Sequence, residues 1–167
     1  IQLYKNGYKA MICNTIEISN REQDFIDMLR QNVMDGIITG AHSLQDYAYL
    51  NLNKPVVAMD RNLGPDIPII HSDHKAGGRM AARLLLDAGC RNVLNFGGSF
   101  RVHTPSNDRH QEFNRVMEEN GASVKTIEMA WNMMEYDYYC RIMEQYMDIY
   151  RDIDGVFTTD IGALYCL

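Results

Sequence analysis

Short apolar runs alternate with amphipathic stretches along the whole chain. Ala10-Met11-Ile12-Cys13, Gly36-Ile37-Ile38-Thr39, Pro55-Val56-Val57-Ala58-Met59, Asn92 to Phe96, Ser123 to Met129 and Gly155-Val156-Phe157-Thr158 have the length and apolar content of buried strands. Pro68-Ile69-Ile70-His71 predicts an edge strand. The stretches between them carry helical spacing. Ser19-Asn20-Arg21-Glu22 is a capping-box pattern, and Phe25, Leu29 and Val33 follow it on one face. Ala81, Leu84, Leu85 and Ala88 line a helix that starts at Ser72 or Asp73 as its cap and stops at Gly89. A helix from about Ser106 to Asn120 turns Phe113, Val116 and Met117 inward, with Gly121 as its stop. Tyr139, Ile142, Met143 and Tyr146 share another helical face.

Strands alternating with helices predict βαβ units and parallel sheets. Asp35-Gly36-Ile37 and Asp154-Gly155-Val156 open corresponding strands in two halves that meet near Gly89 to Arg91. The expected organisation is therefore two lobes, residues 1–89 and 90–167. Ile1 to Asn6 reads as the end of a helix stopped by Gly7, and Ile161 to Leu167 as the start of one. The segment is expected to be truncated at both ends, a part of a longer protein.

Composition narrows the class. With 167 residues and 46% apolar content, the chain can bury one large core or two small ones and is not a disordered tail. Twelve Gly, four Pro and four Cys exclude collagen-like and disulfide-scaffold proteins. No apolar run approaches the roughly 20 residues of a membrane span, and no basic, apolar leader opens the chain. A net charge of −6 argues against this segment gripping nucleic-acid phosphates by itself. Cys13, Cys90, Cys140 and Cys166 are scattered beside apolar residues with no C-x-x-C, which predicts reduced, buried thiols in a cytoplasmic protein.

The chain holds no P-loop, no G-x-G-x-x-G after a strand and no G-x-S-x-G elbow. Gly97-Gly98-Ser99 follows a strand, as a ligand-approach loop or a plain turn does. His71, Asp73 and His74 cluster, but no remote third ligand stands out, and a helix cap accounts for them; no metal or cofactor is predicted. In parallel sheets the ligand crevice lies past the carboxyl ends of the strands. Those positions hold Asn14, Thr39, Asp60, Asp73, the loop from Gly98 to Ser106, and Thr159-Asp160. Carboxylates, amides and hydroxyls are the groups that bind a polyol or sugar. Arg109 either reaches the same crevice or pairs with Asp108 or Glu112. Trp131, the single tryptophan, either stacks under a sugar ring or simply packs. Asp60 and Asp73 would be the acid–base pair of an enzyme, but no nucleophile–base constellation accompanies them, and no enzyme is predicted.

The ordered motifs form a specific series. Gly7-Tyr8, Ile12-Cys13-Asn14, Val33 to Ile38, Pro55 to Arg61, Ser72-Asp73 with Ala76 to Gly89, Val93 to Gly98, Ser106 to Arg109 with Phe113, and Asp152 to Asp160 with Gly162 to Leu164 resemble the effector-binding domain of the LacI/GalR family. The resemblance covers essentially the whole chain. It implies an α/β fold of two Rossmann-like lobes with parallel sheets, of the periplasmic-binding-protein-like type I. It implies a cytoplasmic, homodimeric transcription regulator with no membrane partner. Its effector, a sugar or sugar phosphate, would lie between the lobes, and operator DNA would be held by a helix-turn-helix headpiece absent from this segment. Arg109 matches the family's effector-binding arginine, with Ser106 in the same motif. Thr159 and Asp160 match a polar pair where asparagine-aspartate is common. Asp60 and Asp73 match strand-end positions near the cleft, and Trp131 lies in the segment that often offers a ring to the sugar. Glu112 departs from the family, standing where glycine usually follows the arginine by three. The same fold serves secreted sugar-binding proteins of transporters, which is the alternative reading.

Overall fold

A computed structural model describes residues 2–15, 21–40, 46–49, 52–100, 104–130, 133 and 135–166. The chain divides into two compact units, residues 1–58 with 63–68, and residues 59–62 with 69–167. No helix among the described residues is long and apolar enough to cross a membrane.

The first unit holds α1 (Gln2–Lys5), α2 (Arg21–Arg30), β1 (Ile37–Thr39), a 3-10 turn (Asp46–Tyr49) and most of β2 (Val56–Met59). β1 and β2 run parallel, with Ile37 opposite Val56 and Thr39 opposite Ala58. The buried face of α2 is Glu22, Ile26 and Leu29. It shares Leu29 with the expected Phe25, Leu29 and Val33 face but turns Glu22 and Ile26 inward and leaves Phe25 half-buried, and Val33, past the end of α2, is 62% exposed. The reason is polar. Glu22 turns inward to take the hydroxyl of Tyr49, which also lies 3.3 Å from Thr39 Oγ1. A carboxylate can be buried when it is hydrogen-bonded in this way. Ser19 and Asn20, the start of the expected capping box, lie outside the described residues. The expected strand at Ala10 to Cys13 is not one, and Ile12 is 99% exposed. A four-residue apolar run becomes a strand only where a neighbour supplies a ladder, and no described strand pairs with it.

The second unit contains β3 (Ile69–Ile70), α3 (His74–Asp87), β4 (Asn92–Gly97), α4 (Asn107–Glu119), β5 (Ser123–Glu128), α5 (Tyr136–Ile149), β6 (Gly155–Thr158) and α6 (Ile161–Leu164). Its main sheet has order β5-β4-β6, all parallel. β4 is covered on both faces, and its side chains sort by period two. Val93 packs with Ala82, Phe113, Val116 and Met117 from α3 and α4. Leu94 and Phe96 pack with Tyr139, Met143 and Ala163 from α5 and α6. Phe113 stacks on Phe157 of β6 at 4.2 Å.

The strands of the two sheets come from either side of residue 89, but packing does not follow that boundary. α3 lies against α4, within the second unit, because Gly77 and Gly78 let the helices close. A Cβ on Gly78 would collide with the carbonyl oxygen of Arg109. The inward face of α3 is His74, Gly78 and Ala82, with Ala81 and Leu85 partly buried, while Leu84 is 70% exposed.

The cysteines depart from expectation. Cys140 on α5 and Cys166, just beyond α6, form a disulfide. α6 folds back along α5 and brings the two Cα atoms to 5.0 Å, inside the span a disulfide bridges. Cys13 is free and exposed; Cys90 is free and buried.

Candidate functional site

β4 is the central strand of its sheet. The β4-α4-β5 connection runs to one side of it and β5-α5-β6 to the other. Chain direction therefore divides over the carboxyl end of β4, the switch point where parallel sheets open a ligand crevice. Three segments of the second unit meet there: the turn after β4, the first turn of α4, and Thr159-Asp160 after β6.

Arg109 stands in the first turn of α4. Its Nη2 lies 2.9 Å from His74 Nδ1, and His74 Nε2 lies 2.7 Å from Asp60 Oδ1. A guanidinium only donates, so Nδ1 accepts and the imidazole hydrogen sits on Nε2, aimed at the carboxylate. Asp60 takes a left-handed backbone conformation (φ +50°) at the end of β2, a region Asp tolerates better than most residues. The expected alternative partners of Arg109 are engaged elsewhere. Glu112 is bound by Arg79 at 3.0 Å and Arg115 at 2.8 Å, and these guanidiniums, Arg115 first, hold its carboxyl down to about 2. Asp108 lies 3.8 Å from Lys75.

On the β6 side, Asp160 caps α6. Its Oδ1 accepts from the Gly162 N–H at 2.9 Å, and its Oδ2 lies 2.9 Å from the Tyr139 hydroxyl. Burial, then the Asp160 carboxylate, pushes the Tyr139 phenol above its usual range. Thr159 is exposed, and its Oγ1 lies 2.9 Å from His110 Nε2. The His110 ring is buried over β4, with Nδ1 2.6 Å from Asn95 Oδ1. Gly97 leaves room for that ring: a Cβ there would stand 3.3 Å from His110 Nδ1 and 3.0 Å from Phe100. Burial, then the charge of Arg109, lowers His110 to about 4.

The other candidates are placed differently. Asp73 caps α3, accepting from the Ala76 N–H at 2.8 Å, which explains the cluster with His71 and His74 as a helix start. Ser106 Oγ lies 2.7 Å from Thr104 Oγ1 and does not cap α4. Thr39 is bonded to Tyr49 inside the first unit. After β4, the Ser99 hydroxyl and the Phe100 N–H both donate to Glu128, which pins the turn to the end of β5. Trp131 and residues 101–103 lie outside the described residues. Both ring nitrogens of His74 are engaged, and among the described residues no group of three His, Cys, Asp or Glu side chains could hold a metal ion. Sequence reasoning overlooked His110, Asn95 and Asn114. The available signal was an asparagine inside the apolar β4 run, with His110 and Asn114 four apart on α4.

No protein-family model matches the chain. The sucrose operon repressor of Streptococcus mutans is 42% identical over 116 residues, which is 70% of this chain and 36% of that protein. The ribose operon repressor of Halalkalibacterium halodurans is 32% identical over 158 residues, 94% of this chain and 46% of that protein. A periplasmic binding protein/LacI transcriptional regulator from Alkaliphilus metalliredigens, solved with D-xylulofuranose, superposes with TM-score 0.80 at 26% identity, over 98% of this chain and 62% of that one. The chain belongs to the LacI/GalR family. It matches that family's effector-binding domain, and it spans about a third to a half of the length of the curated relatives. The fold of this LacI/GalR segment is shared with the Cra regulator of Pseudomonas putida, solved with fructose 1-phosphate, at TM-score 0.81 and 21% identity. The named relatives are repressors rather than enzymes.

Proposed function

We propose that this segment is the effector-binding core of a sugar-responsive transcription repressor. One juxtaposition carries the reading. At the switch point, Arg109 offers N–H donors already oriented by His74 and Asp60, while Thr159, bonded to His110, offers a hydroxyl oxygen and Asp160 a half-exposed carboxylate held by Gly162 and Tyr139. Donors facing acceptors across a crevice suit a polyol. The sugar-operon names of the relatives supply the class, a sugar or sugar phosphate. Arg109, Thr159 and Asp160 are assigned to the effector, with Asp60 and Ser106 shaping the rim, Asp73 holding α3, and Trp131 offering a ring. Asp60 is occupied by His74 and Asp73 by the α3 amide, so the pair does not suit acid–base catalysis.

Effector shifts the domain toward the state it binds more tightly. In a cytoplasmic homodimer, that shift alters operator affinity through a DNA-binding headpiece, and operator alters effector affinity by the same factor. The test is calorimetric titration of the full-length protein with monosaccharides, disaccharides and sugar phosphates, with Arg109→Ala beside it. A sugar whose binding the variant removes supports the reading. A folded protein that binds none of them overturns it. One observation favours a secreted sugar-binding protein instead: the Cys140–Cys166 disulfide, since disulfides belong to oxidising compartments. A sugar-dependent shift of operator DNA by the full-length protein decides for the repressor.

A further inference from the structure

A chain of side-chain hydrogen bonds runs beneath the candidate crevice, and it has a direction. Asn114 Nδ2 lies 2.8 Å from Thr126 Oγ1, and Asn114 Oδ1 lies 2.7 Å from Asn95 Nδ2. Asn95 Oδ1 meets His110 Nδ1 at 2.6 Å, and His110 Nε2 meets Thr159 Oγ1 at 2.9 Å. Taken alone, every member could reverse together: both amides flipped, the imidazole in its other tautomer, the hydroxyls turned. One partner cannot reverse. Asn95 Nδ2 also faces the backbone carbonyl of His110 at 3.5 Å, and a carbonyl only accepts. That contact favours the amide nitrogen of Asn95 on that side and its oxygen toward His110 Nδ1, which then donates.

A neutral imidazole with its hydrogen on Nδ1 has a lone pair on Nε2. Thr159 is the group beside that lone pair, so its single hydroxyl hydrogen is directed inward. What remains on the exposed side of Thr159 Oγ1 is lone pairs. The ring cannot take a second proton at neutral pH, because burial and Arg109 lower it to about 4. The polarity is therefore fixed across the physiological range.

We propose that His110 is a specificity-determining residue of the crevice: by taking the Thr159 hydroxyl hydrogen it makes Thr159 an obligate acceptor, which selects effectors presenting a hydroxyl or amine donor at that point. The proposal rests on the reading of this crevice as the effector site. An ether, carbonyl or phosphate oxygen against Thr159 would meet lone pair with lone pair. Acceptor oxygens of the effector belong instead at Arg109, where only donors are offered. Selection by an unmatched polar group is sharper than selection by fit, because the mismatched group loses its water and gains no partner.

Two measurements on the full-length protein test it. Long-range proton–nitrogen correlation NMR of the histidine rings reads the tautomer without any ligand. The Nδ1–H form of His110 is expected, and the Nε2–H form overturns the proposal. The second measurement starts from whichever of sucrose, fructose, fructose 1-phosphate and ribose binds most tightly. Its deoxyfluoro analogues are titrated in turn, since fluorine cannot donate. One position is expected to lose about tenfold in affinity, the worth of a neutral hydrogen bond with its desolvation. Thr159→Val is expected to erase the difference between parent and analogue at that position. His110→Leu, which frees the hydroxyl to rotate and donate, is expected to shrink it. A difference unchanged in Thr159→Val overturns the proposal even if His110→Leu does not fold. Arg109→Ala separates the two claims. Binding unchanged in that variant removes the crevice assignment and the proposed selection with it. Binding lost there, with the fluorine penalty insensitive to Thr159→Val, removes only the role of His110.

Discussion

The Arg109 side chain is already oriented, so in the proposed reading it would meet an effector without further ordering. The His74 lone pair takes one N–H, and Asp60 holds the imidazole in the tautomer that makes the lone pair available. Orientation made in advance is entropy that binding does not have to supply. Arg109→Ala is therefore expected to cost about 1.5–3 kcal/mol of sugar binding, the range for hydrogen bonds to a charged group, with calorimetry as the check. Arg109→Lys should recover little of it, since an ammonium cannot keep the His74 bond and present a planar fork together. His110 adds a pH dependence with a definite sign. In the folded chain it takes a proton only near pH 4; in the unfolded chain it does so near its ordinary 6.5. Between those values the unfolded state binds more protons, so stability falls as pH drops from about 6.5 to about 4. Above that window the residue contributes no slope. The full loss is on the order of 3 kcal/mol. Denaturant unfolding at pH 7.5 and pH 5 reads it, and a folded His110→Gln variant is expected to flatten this part of the curve.

At the scale of elements, the site depends on how closely α3 and α4 approach. Gly78 meets the Arg109 carbonyl, so Gly78→Ala forces the helices apart where the arginine is held. Overpacking of this kind costs about 1–3 kcal/mol. A lower melting temperature and weaker sugar binding are expected together in that variant. Gly77→Ala is the milder neighbour, because its Cβ would stand 3.5 Å from Arg109 Nε, an ordinary contact. The elements themselves were legible in outline: β1, β2, β4, β5 and β6 fall where the apolar runs lie, and α3, α4 and α5 where the helical spacing lies. The faces were less legible. On α2 the buried position went to Glu22 because Tyr49, distant in sequence, offers its hydroxyl. The run at Ala10 to Cys13 has strand composition and no paired neighbour among the described strands.

At the scale of the molecule, the Cys140–Cys166 disulfide closes a separation of 26 residues and ties α5 to the end of α6, beside the Asp160 cap. Restricting the unfolded chain over that distance is worth about 3 kcal/mol in the loop-entropy picture. Reduction with a dithiol is expected to lower the unfolding free energy by that much and to shift the denaturant midpoint down accordingly. Thiol counting under denaturing conditions should rise by two on reduction. A count unchanged by the reductant would place the pair among the reduced thiols of a cytoplasmic protein.

The amino-acid sequence by itself determined the alternation of strands and helices, the two parallel sheets, the family, and which polar residues follow the carboxyl ends of strands. The elements and sheets follow from local periodicity, caps and glycine stops, which act over a few residues, whereas the family was legible as a resemblance carried by the ordered series of motifs. Only the tertiary structure decided which polar residues face one another. It paired Arg109 with His74 rather than Glu112, and set His110 between Asn95 and Thr159. A hydrogen bond has a partner and a direction, and both are fixed by atoms brought together from distant parts of the chain; no spacing along the chain encodes them.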